Sequence, residues 1–407
     1  MKDGRLIDSP APGKYLSIDP TERTDLSKFY LPEDLPPELD LALNSEISDV
    51  YGGAMHALGR LEGFWSEVED PETVFGLFVY KEAEQSSQVE GTEVTVSDMY
   101  RKGADSKDVR EARNYVRALQ AATDRLVERG RSRQNLSISI LKSMHETLME
   151  EGRTDEEDPL PGEFRPFYAH IEEETEYANS VRFVPPKPTT AERKMQRLEE
   201  YIQSAGEYPT LIDIALVHYQ VETIHPFVDG NGRVGRLLIA LMLVATGILV
   251  HPLFYLSSYI RRNRSEYTDR LLAVSEENEW EEWIAFFLAG LEEQADESFS
   301  RSKVLLELRE EYRERFEGSA PTVRSLIELL FTNPVLTTGD IEAELDVTNT
   351  TANTAARTLT AEGVLVETTG QERYREFDAV EVLGVLNRSP DELPAPSELL
   401  SSTGPQL

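Results

Sequence analysis

Residues 225–236 read HPFVDGNGRVGR and concentrate chemically specific side chains in one short stretch. Two largely apolar runs, residues 210–224 and 237–250, flank the stretch and predict two buried helices with a loop between them. The second run has 14 residues, fewer than the ~20 that a bilayer-spanning helix requires. The pattern therefore predicts a helix–loop–helix site within a largely helical core.

The side chains of this stretch suit the binding of a nucleoside triphosphate and the activation of a hydroxyl group. His225 titrates near neutral pH and is the candidate general base. Asp229 is a hard oxygen ligand suited to Mg²⁺ held together with phosphates. Glycine-rich backbone, a side-chain amide and two guanidinium groups are the expected phosphate ligands. These ligands are Gly230, Asn231, Gly232, Arg233 and Arg236.

The stretch fits the pattern H-x-F-x-[DE]-G-N-G-R-x-x-R at every specified position and thereby resembles the signature of the Fic (Fic/Doc) family. The resemblance implies a mainly α fold, in which a helical bundle carries a β-hairpin flap. It also implies a nucleotidyltransferase, in particular a protein adenylyltransferase. Such an enzyme uses ATP and Mg²⁺ to transfer AMP to a Tyr, Ser or Thr hydroxyl of a protein.

A second motif resembles the inhibitory motif of the same family, [ST]-x-x-x-E-[GN]. Residues 86–91 read SSQVEG, with Ser86 and Glu90 at the specified positions. In family members with this motif N-terminal to the core, its Glu pairs with the second Arg of the signature, here Arg236. A carboxylate on that guanidinium would occupy a phosphate clamp and repel the γ-phosphate. The resemblance therefore implies an enzyme that Glu90 restrains.

Two further segments carry looser resemblances. The β-like runs 162–167 and 181–184 predict a hairpin, and its first four residues resemble the strand that opens the family's flap. In the family this flap aligns a target segment by β-strand addition. The four residues are Gly162, Glu163, Phe164 and Arg165. Residues 255–264 resemble the family's helix after the signature, where Asn263 matches a position that contacts adenine.

The rest of the chain organises around these motifs. Helical spacing predicts helices at 39–63, 107–128, 137–149, 188–205 and 210–224. Three short helices and a hairpin within residues 322–377 predict a winged helix-turn-helix. The expected domains are a flexible tail at 1–25, an N-terminal helical region with the inhibitory motif at 26–110, a catalytic core at 111–300, a linker helix at 301–318, a winged helix at 319–388 and a flexible tail at 389–407.

The composition sets further limits. The chain has 75 acidic and 41 basic residues, a net charge of -34, and only 10 of the basic residues are Lys. A dispersed acidic surface is typical of proteins that stay soluble in concentrated salt, so a halophilic source is one hypothesis and an acidic mesophilic protein the alternative. The absence of Cys excludes disulfides and Cys-ligated metals. No secretory signal follows Met1, which predicts a cytoplasmic protein without a membrane segment.

Three alternative functions stay open at this point. The scaffold could use another nucleotide, or remove AMP with Glu90 positioning water, or serve as a winged-helix transcriptional regulator. Residues 319–387 contain four Arg and eleven acidic residues, a balance that disfavours DNA affinity and favours a protein-binding or dimerising wing. The expected partners are ATP and a protein substrate, which can be the chain itself; a homodimer is left open.

Overall fold

A computed structural model describes residues 12–22, 24–39, 45–150, 160–174, 179–204, 206–252, 256–371 and 375–401. This part of the chain is mainly helical, with small antiparallel sheets, as predicted. The strands are β1 Gly13–Ser17, β2 Lys28–Pro32, β3 Ile171–Glu174, β4 Asn179–Phe183, β5 Val335–Thr337, β6 Leu365–Glu367 and β7 Glu376–Ala379.

The helices are α1 Ser45–Glu67, α2 Glu72–Val89, α3 Val96–Tyr100, α4 Lys107–Glu128, α5 Ile138–Leu148, α6 Pro188–Gln203, α7 Thr210–Ile224, α8 Asn231–Ala245, α9 Ser257–Arg262, α10 Arg264–Glu277, α11 Trp280–Arg315, α12 Pro321–Leu330, α13 Thr338–Leu345, α14 Asn349–Ala361, α15 Val380–Asn387 and α16 Pro396–Ser401. Among the described residues, no helix combines the length and the apolar character needed to cross a membrane.

The chain divides into two compact units. The first unit comprises Met1–His56, Asn114–Pro252 and Tyr259–Glu292, and the second comprises Ala57–Arg113, Leu253–Ser258 and Glu293–Leu407.

Helices α7 and α8 form the centre of the first unit. In α7, 13 of 15 residues are buried, and in α8, 14 of 15 are buried, because both helices are rich in apolar residues. One acidic residue of α7, Asp213, is fully buried and accepts hydrogen bonds from Arg133 at 2.7 Å and from the Tyr201 hydroxyl at 2.6 Å. A satisfied carboxylate is therefore compatible with this otherwise apolar core.

The N-terminal strands belong to the first unit and correct one prediction. β1 pairs antiparallel with β2, from Gly13 opposite Pro32 to Ser17 opposite Lys28. A small apolar cluster that includes Ile18, Phe29 and Val184 covers this pair. The expectation of a flexible tail through residue 25 is therefore wrong for β1, because the Pro and Asp content around it concealed a short strand with apolar partners.

The second unit has an aromatic core of its own. The Trp65 ring lies 5.2 Å from the Phe75 ring and 6.1 Å from the Phe78 ring, and the Phe64 and Phe299 rings lie 5.3 Å apart in an edge-to-face arrangement. These contacts join α1, α2 and α11 within this unit. The inhibitory motif ends α2.

Residues 321–387, here called the C-terminal module, form a large part of the second unit. The module combines helices α12, α13 and α14 with a three-stranded antiparallel sheet of strand order β5–β7–β6, and β5 lies between α12 and α13 in the chain. The three helices lie where they were predicted, whereas β5 and α15 were not predicted. In the expected hairpin, Arg373 and Tyr374 lie outside the described residues, and Phe377 lies in β7. The assignment of the module as a winged helix stays a prediction.

The end of the described chain corrects a second expectation of flexibility. Residues 390–392 form a 3₁₀ turn, and α16 follows. The buried ammonium group of Lys303 donates a hydrogen bond to the carbonyl of Leu399. The expected tail from residue 389 is therefore ordered through α16, because its last helix supplies an acceptor for a buried cation.

Candidate functional site

The signature loop, defined as residues 225–230, connects α7 to α8 through two left-handed residues. His225 caps α7 with φ 49° and ψ 61°, and its N–H donates to the Val221 carbonyl at 2.9 Å. Gly230 precedes α8 with φ 74° and ψ 10°. These two left-handed residues let the chain reverse direction between the two buried helices. The six loop residues, 225–230, therefore lie directly before the first turn of α8.

The position of the His225 ring fixes its tautomer. The Nδ1 atom lies 3.3 Å from the carbonyl oxygen of Glu222, which can only accept a hydrogen bond. Nδ1 therefore carries the proton in the neutral ring, and Nε2 presents the lone pair. A ring in this state can accept a proton at Nε2, as a general base must.

Asn231 holds the loop together through its side-chain amide. Its Oδ1 accepts from the main-chain N–H of Phe227 at 2.8 Å, and its Nδ2 donates to the Phe227 carbonyl at 3.0 Å. Both residues are buried, Asn231 with 2% exposure and Phe227 with none. The binding of phosphate by the Asn231 side chain stays a prediction.

Asp229 and Gly230 form the outer corner of the loop. The Gly230 N–H donates to Asp229 Oδ1 at 2.6 Å, and Arg233 lies 3.3 Å from Oδ2. The Asp229 side chain is nevertheless 67% exposed, so it can reach a ligand from solvent. A Cβ atom at Gly230 would lie 2.4 Å from Met149 Cε, so a side chain here requires the Met149 side chain to move and also strains the left-handed backbone.

Two guanidinium groups follow at the start of α8. Arg233 and Arg236 lie one turn apart and are 5% and 4% exposed, although both carry a fixed charge. Arg236 also influences α7: burial and the Arg236 charge lower the pKa of His218 to about 3. Two buried cations in the first turn of a helix give this region a positive potential suited to phosphate.

The carboxylates at this site decide whether it can hold a metal ion. The described residues contain no cluster of three or more His, Cys, Asp and Glu side chains that could hold a metal by themselves. Asp229 alone supplies an exposed carboxylate to the signature loop. Mg²⁺ commonly takes one or two carboxylates and completes its shell with substrate phosphates and water, so Asp229 fits a metal that arrives with a nucleotide.

His145 supports the loop and was not identified from the sequence. Its Nδ1 accepts from the Gly162 N–H at 3.0 Å, so its Nε2 carries the proton and donates to the Asp229 carbonyl at 3.1 Å. The ring stacks on Phe227 with a centroid distance of 3.9 Å. Burial lowers the pKa of His145 to about 4, so the ring is neutral at pH 7. The sequence feature that could have identified His145 is its position among the apolar residues on one face of α5.

Gly235 is a second residue that sequence reasoning missed, because it occupies an unspecified position of the signature. A Cβ atom there would lie 2.4 Å from Glu222 Oε1 and 3.3 Å from His218 Nδ1. His218 in turn pairs with the Tyr267 hydroxyl through Nε2 at 2.8 Å. A glycine at this point lets the polar side chains of α7 approach α8 closely.

The structure places the predicted flap residues at the base of the hairpin and not in a strand. The strands are β3 and β4, and residues 162–167 form turns before β3. Gly162 has φ 74°, the Phe164 ring lies 5.4 Å from the Phe227 ring, and the Lys142 ammonium lies 4.5 Å from the centroid of the Phe164 ring. The predicted strand 162–167 is therefore wrong: a left-handed Gly, the partly buried Phe164 and the buried Arg165 anchor this segment against the signature loop.

The post-signature segment is also divided differently from the expectation. Asn263 lies between α9 and α10, and its Nδ2 donates to the Tyr259 carbonyl at 3.0 Å. Tyr255 lies outside the described residues. The contact of Asn263 with adenine stays a prediction, with its side-chain amide engaged by the main chain of α9.

The inhibitory motif lies in the second unit. Ser86 is fully buried in α2, and Glu90 caps the C-terminus of that helix with Gly91 next at φ 93°. Glu84, six residues before Glu90, is buried. Its carboxylate accepts hydrogen bonds from the Val96 N–H at 3.2 Å and from the Lys81 ammonium at 2.5 Å. These contacts fix the end of α2. The pairing of Glu90 with Arg236 stays a prediction.

Comparisons with known proteins agree with this site. The model of the Fic/DOC family matches residues 135–243, and that of the Fic/DOC family N-terminal region matches residues 49–124. The crystal structure of a Fic family protein from Desulfovibrio desulfuricans G20 covers 85% of this chain and 98% of its own, with a TM-score of 0.53 and 17% identity. At this identity the likeness concerns the fold.

Curated relatives match shorter segments. The protein adenylyltransferase Fic of Drosophila willistoni is 43% identical over 68 residues, which are 16% of this chain and 13% of that protein. A probable protein adenylyltransferase of Aquifex aeolicus VF5 is 30% identical over 96 residues, 24% of this chain and 28% of that protein. The chain thus spans less than a third of either relative.

The matched segments include the signature loop, most of α8 and the motif-bearing helix α2. They identify a Fic/DOC domain at residues 135–243 and a Fic/DOC N-terminal region at residues 49–124.

Proposed function

We propose that this chain transfers AMP from ATP to a Tyr, Ser or Thr hydroxyl of a protein and releases pyrophosphate. The observation that carries the proposal is the grouping of three chemistries around one loop. They are the His225 imidazole, the exposed Asp229 carboxylate, and the buried guanidinium groups of Arg233 and Arg236. Two relatives of this chain are named as a protein adenylyltransferase and a probable protein adenylyltransferase, which supports the same reaction.

The reaction is an in-line displacement at the α-phosphorus. The target hydroxyl oxygen forms a bond to that phosphorus while the bond to the oxygen bridging the α- and β-phosphates breaks. The hydroxyl proton passes to Nε2 of His225, whose tautomer is set by the Glu222 carbonyl. The electron pair of the broken bond leaves with pyrophosphate.

The charges of the site support the binding of a triphosphate. Arg233 and Arg236 supply cations, and the free N–H groups at the start of α8 add the positive end of the helix dipole. Asp229 would hold Mg²⁺ together with the phosphates, and the ion would offset their negative charge. The part of Asn231 in this proposal is to keep the loop in shape through Phe227.

Restraint by the inhibitory motif belongs to the same proposal. Glu90 at the end of α2 would pair with Arg236 and thereby compete with the γ-phosphate. The buried contacts of Glu84 hold the end of α2 and limit where Glu90 can go. Replacing Glu90 by Gly removes the carboxylate while leaving these contacts in place, so modification should increase by about tenfold or more.

Intact-mass spectrometry of purified Glu90→Gly protein tests the proposal. The protein is incubated with Mg²⁺ and ATP at high KCl, beside the Glu90→Gly/His225→Ala double variant. Removing the base should slow transfer by about a hundredfold or more. Glu90→Gly/His56→Ala is the matched control, because His56 is an exposed residue of α1 outside the signature loop.

A gain of one AMP that requires His225 and tolerates the His56 change supports the proposal. A gain with UTP but not ATP would replace adenylyl transfer with another nucleotidyl transfer on the same residues. Equal modification with and without His225 would remove it from the role of base. No gain with any nucleotide would contradict the proposal and favour AMP removal, in which Glu90 positions water.

A further inference from the structure

Arg165 is a buried cation that the proposed reaction does not use. It is 2% exposed and among the largest fully buried side chains of the described chain. Burial lowers the pKa of its guanidinium to about 10, so the group is still protonated at neutral pH. A buried charge is costly unless its donors are satisfied, so the partners of Arg165 indicate why the charge is kept there.

The hydrogen bonds of this guanidinium end on main-chain carbonyls. It donates to Phe167 at 2.8 Å, to Pro186 at 2.5 Å, and through Nε to His225 at 2.7 Å. The main-chain N–H of Arg165 also donates to the Pro226 carbonyl at 2.9 Å. One residue thus binds the peptide groups of the candidate base and of its neighbour.

The other two carbonyls lie at the two ends of the β3–β4 hairpin. Phe167 precedes β3, which starts at Ile171, and Pro186 follows β4, which ends at Phe183. Arg165 therefore connects the entry of the hairpin, its exit and the main chain of His225 through one planar group. A guanidinium has five N–H donors in a fixed fork, which gives such a connection a defined geometry.

We infer that Arg165 is a positioning residue that holds the β3–β4 hairpin in register with the imidazole of His225. The inference rests on the proposed function, since a strand added to the hairpin would carry the accepting hydroxyl. The register matters because a shift of about 1 Å between reacting groups can cost about a hundredfold in rate. A residue that only fills space would not need to bind all three segments.

The kinetic test uses Glu90→Gly protein and compares Arg165→Lys with Arg165→Met. Lys keeps the charge and part of the hydrogen bonding, whereas Met keeps only the stem. At saturating ATP we expect the modification rate to fall about tenfold or more for Lys and further for Met. The ATP concentration for half-maximal rate should change less than about threefold, because Arg165 contacts no predicted phosphate ligand.

Arg133→Lys is the matched control. Arg133 is a partly buried Arg, with 15% of its side chain exposed, that also donates to a main-chain carbonyl, that of Ile202. It donates a further hydrogen bond to Asp213 of α7, outside the hairpin and the signature loop. Its replacement should lower thermal stability and leave the rate per folded molecule unchanged. If Arg165→Lys and Arg133→Lys lower stability alike and neither changes the rate, Arg165 is structural and the inference fails.

Hydrogen exchange gives a readout that does not depend on activity. In Arg165→Met protein we expect faster amide exchange in both the β3–β4 hairpin and residues 225–230, by about tenfold or more. Faster exchange in one of the two segments only would overturn the coupling. If no nucleotide is transferred by any variant, the proposed reaction fails, while the exchange result still decides whether Arg165 joins the hairpin to His225.

Discussion

The signature loop and the C-terminal module are held in place by different forces. Around the loop, the polar contacts of Asn231, His145 and Arg165 end on main-chain groups and are buried. The module is held within its unit by ion pairs: Arg101 donates to Glu376 at 2.7 Å and to Asp378 at 2.6 Å. Buried hydrogen bonds to main-chain groups are little affected by salt, whereas ion pairs that reach solvent, such as those of Arg101 at 27% exposure, are screened in part. The comparison indicates that the loop resists changes of ionic strength that would loosen the module.

The largest effect should come from Gly230→Ala. The substituted residue keeps φ at 74° and places Cβ 2.4 Å from Met149, so we expect a loss of about 3 kcal/mol in unfolding free energy. Gly247→Ala is the matched control, because Gly247 has the same φ but open space around its Cβ position. It should cost only about 1 kcal/mol. Denaturant unfolding followed by fluorescence of Trp283, which is buried against α7, measures both.

Equal losses of unfolding free energy for Gly230→Ala and Gly247→Ala would show that close packing against Met149 adds nothing to the cost of a side chain at Gly230. Combining Gly230→Ala with Met149→Ala sharpens the result, since the smaller side chain should recover part of the lost stability. The recovered part measures the clash itself.

The next effect concerns pH and the buried His145. In the folded chain the pKa of His145 is about 4, below the ordinary 6.5. Between these two pH values the unfolded chain therefore binds a proton at His145 that the folded chain does not bind. The contribution is complete above pH 6.5 and is lost as pH falls towards 4, at up to about 1.4 kcal/mol per pH unit. Unfolding free energies at pH 7, 6 and 5 should fall more steeply for the native chain than for His145→Gln. Parallel curves would show that His145 titrates normally.

The smallest effects should be in the C-terminal module. Arg101 is 27% exposed, and Arg101→Met leaves Glu376 and Asp378 without their shared cation, so local opening of β7 should become easier by about 2 kcal/mol. Lys102 pairs with Asp340 but is 76% exposed, so Lys102→Met should cost less than about 1 kcal/mol. Hydrogen exchange of the β7 amides at low and high KCl measures both. An Arg101 effect no larger than that of Lys102 would remove the ion pairs as the main attachment.

Local sequence patterns predicted much of the fold. Helices α4 and α7 begin and end at the predicted residues, because the first has one apolar face and the second is rich in apolar residues along its whole length. The pattern did not predict β1, whose five residues sit in Pro- and Asp-rich sequence and are stabilised by β2. It also did not predict β5 and α15, which are short and depend on contacts with β7 and its neighbours.

The site was predictable where its chemistry is contiguous. His225, Asp229, Gly230, Arg233 and Arg236 stand in one stretch with fixed spacing, and the structure brings them to one loop and one helix turn.

His145 could not be found in this way, since it reaches the loop through the fold and not along the chain. Arg165 was named from the resemblance of residues 162–165, but its contact with the His225 carbonyl could not be predicted. The contacts of Asn231 with Phe227 were not predicted either, because an amide can serve a ligand or the main chain and spacing does not distinguish the two.

The left-handed backbone of His225 affects which residues directed evolution for stability would select at this position. A non-glycine residue in this conformation costs about 1 kcal/mol, and Gly or Asn would occupy it more easily. A library selected only for heat resistance should therefore enrich Gly or Asn at this position and discard the imidazole that we propose as the general base. Stability and function are in competition at a single peptide unit, and only a selection that includes activity keeps His225.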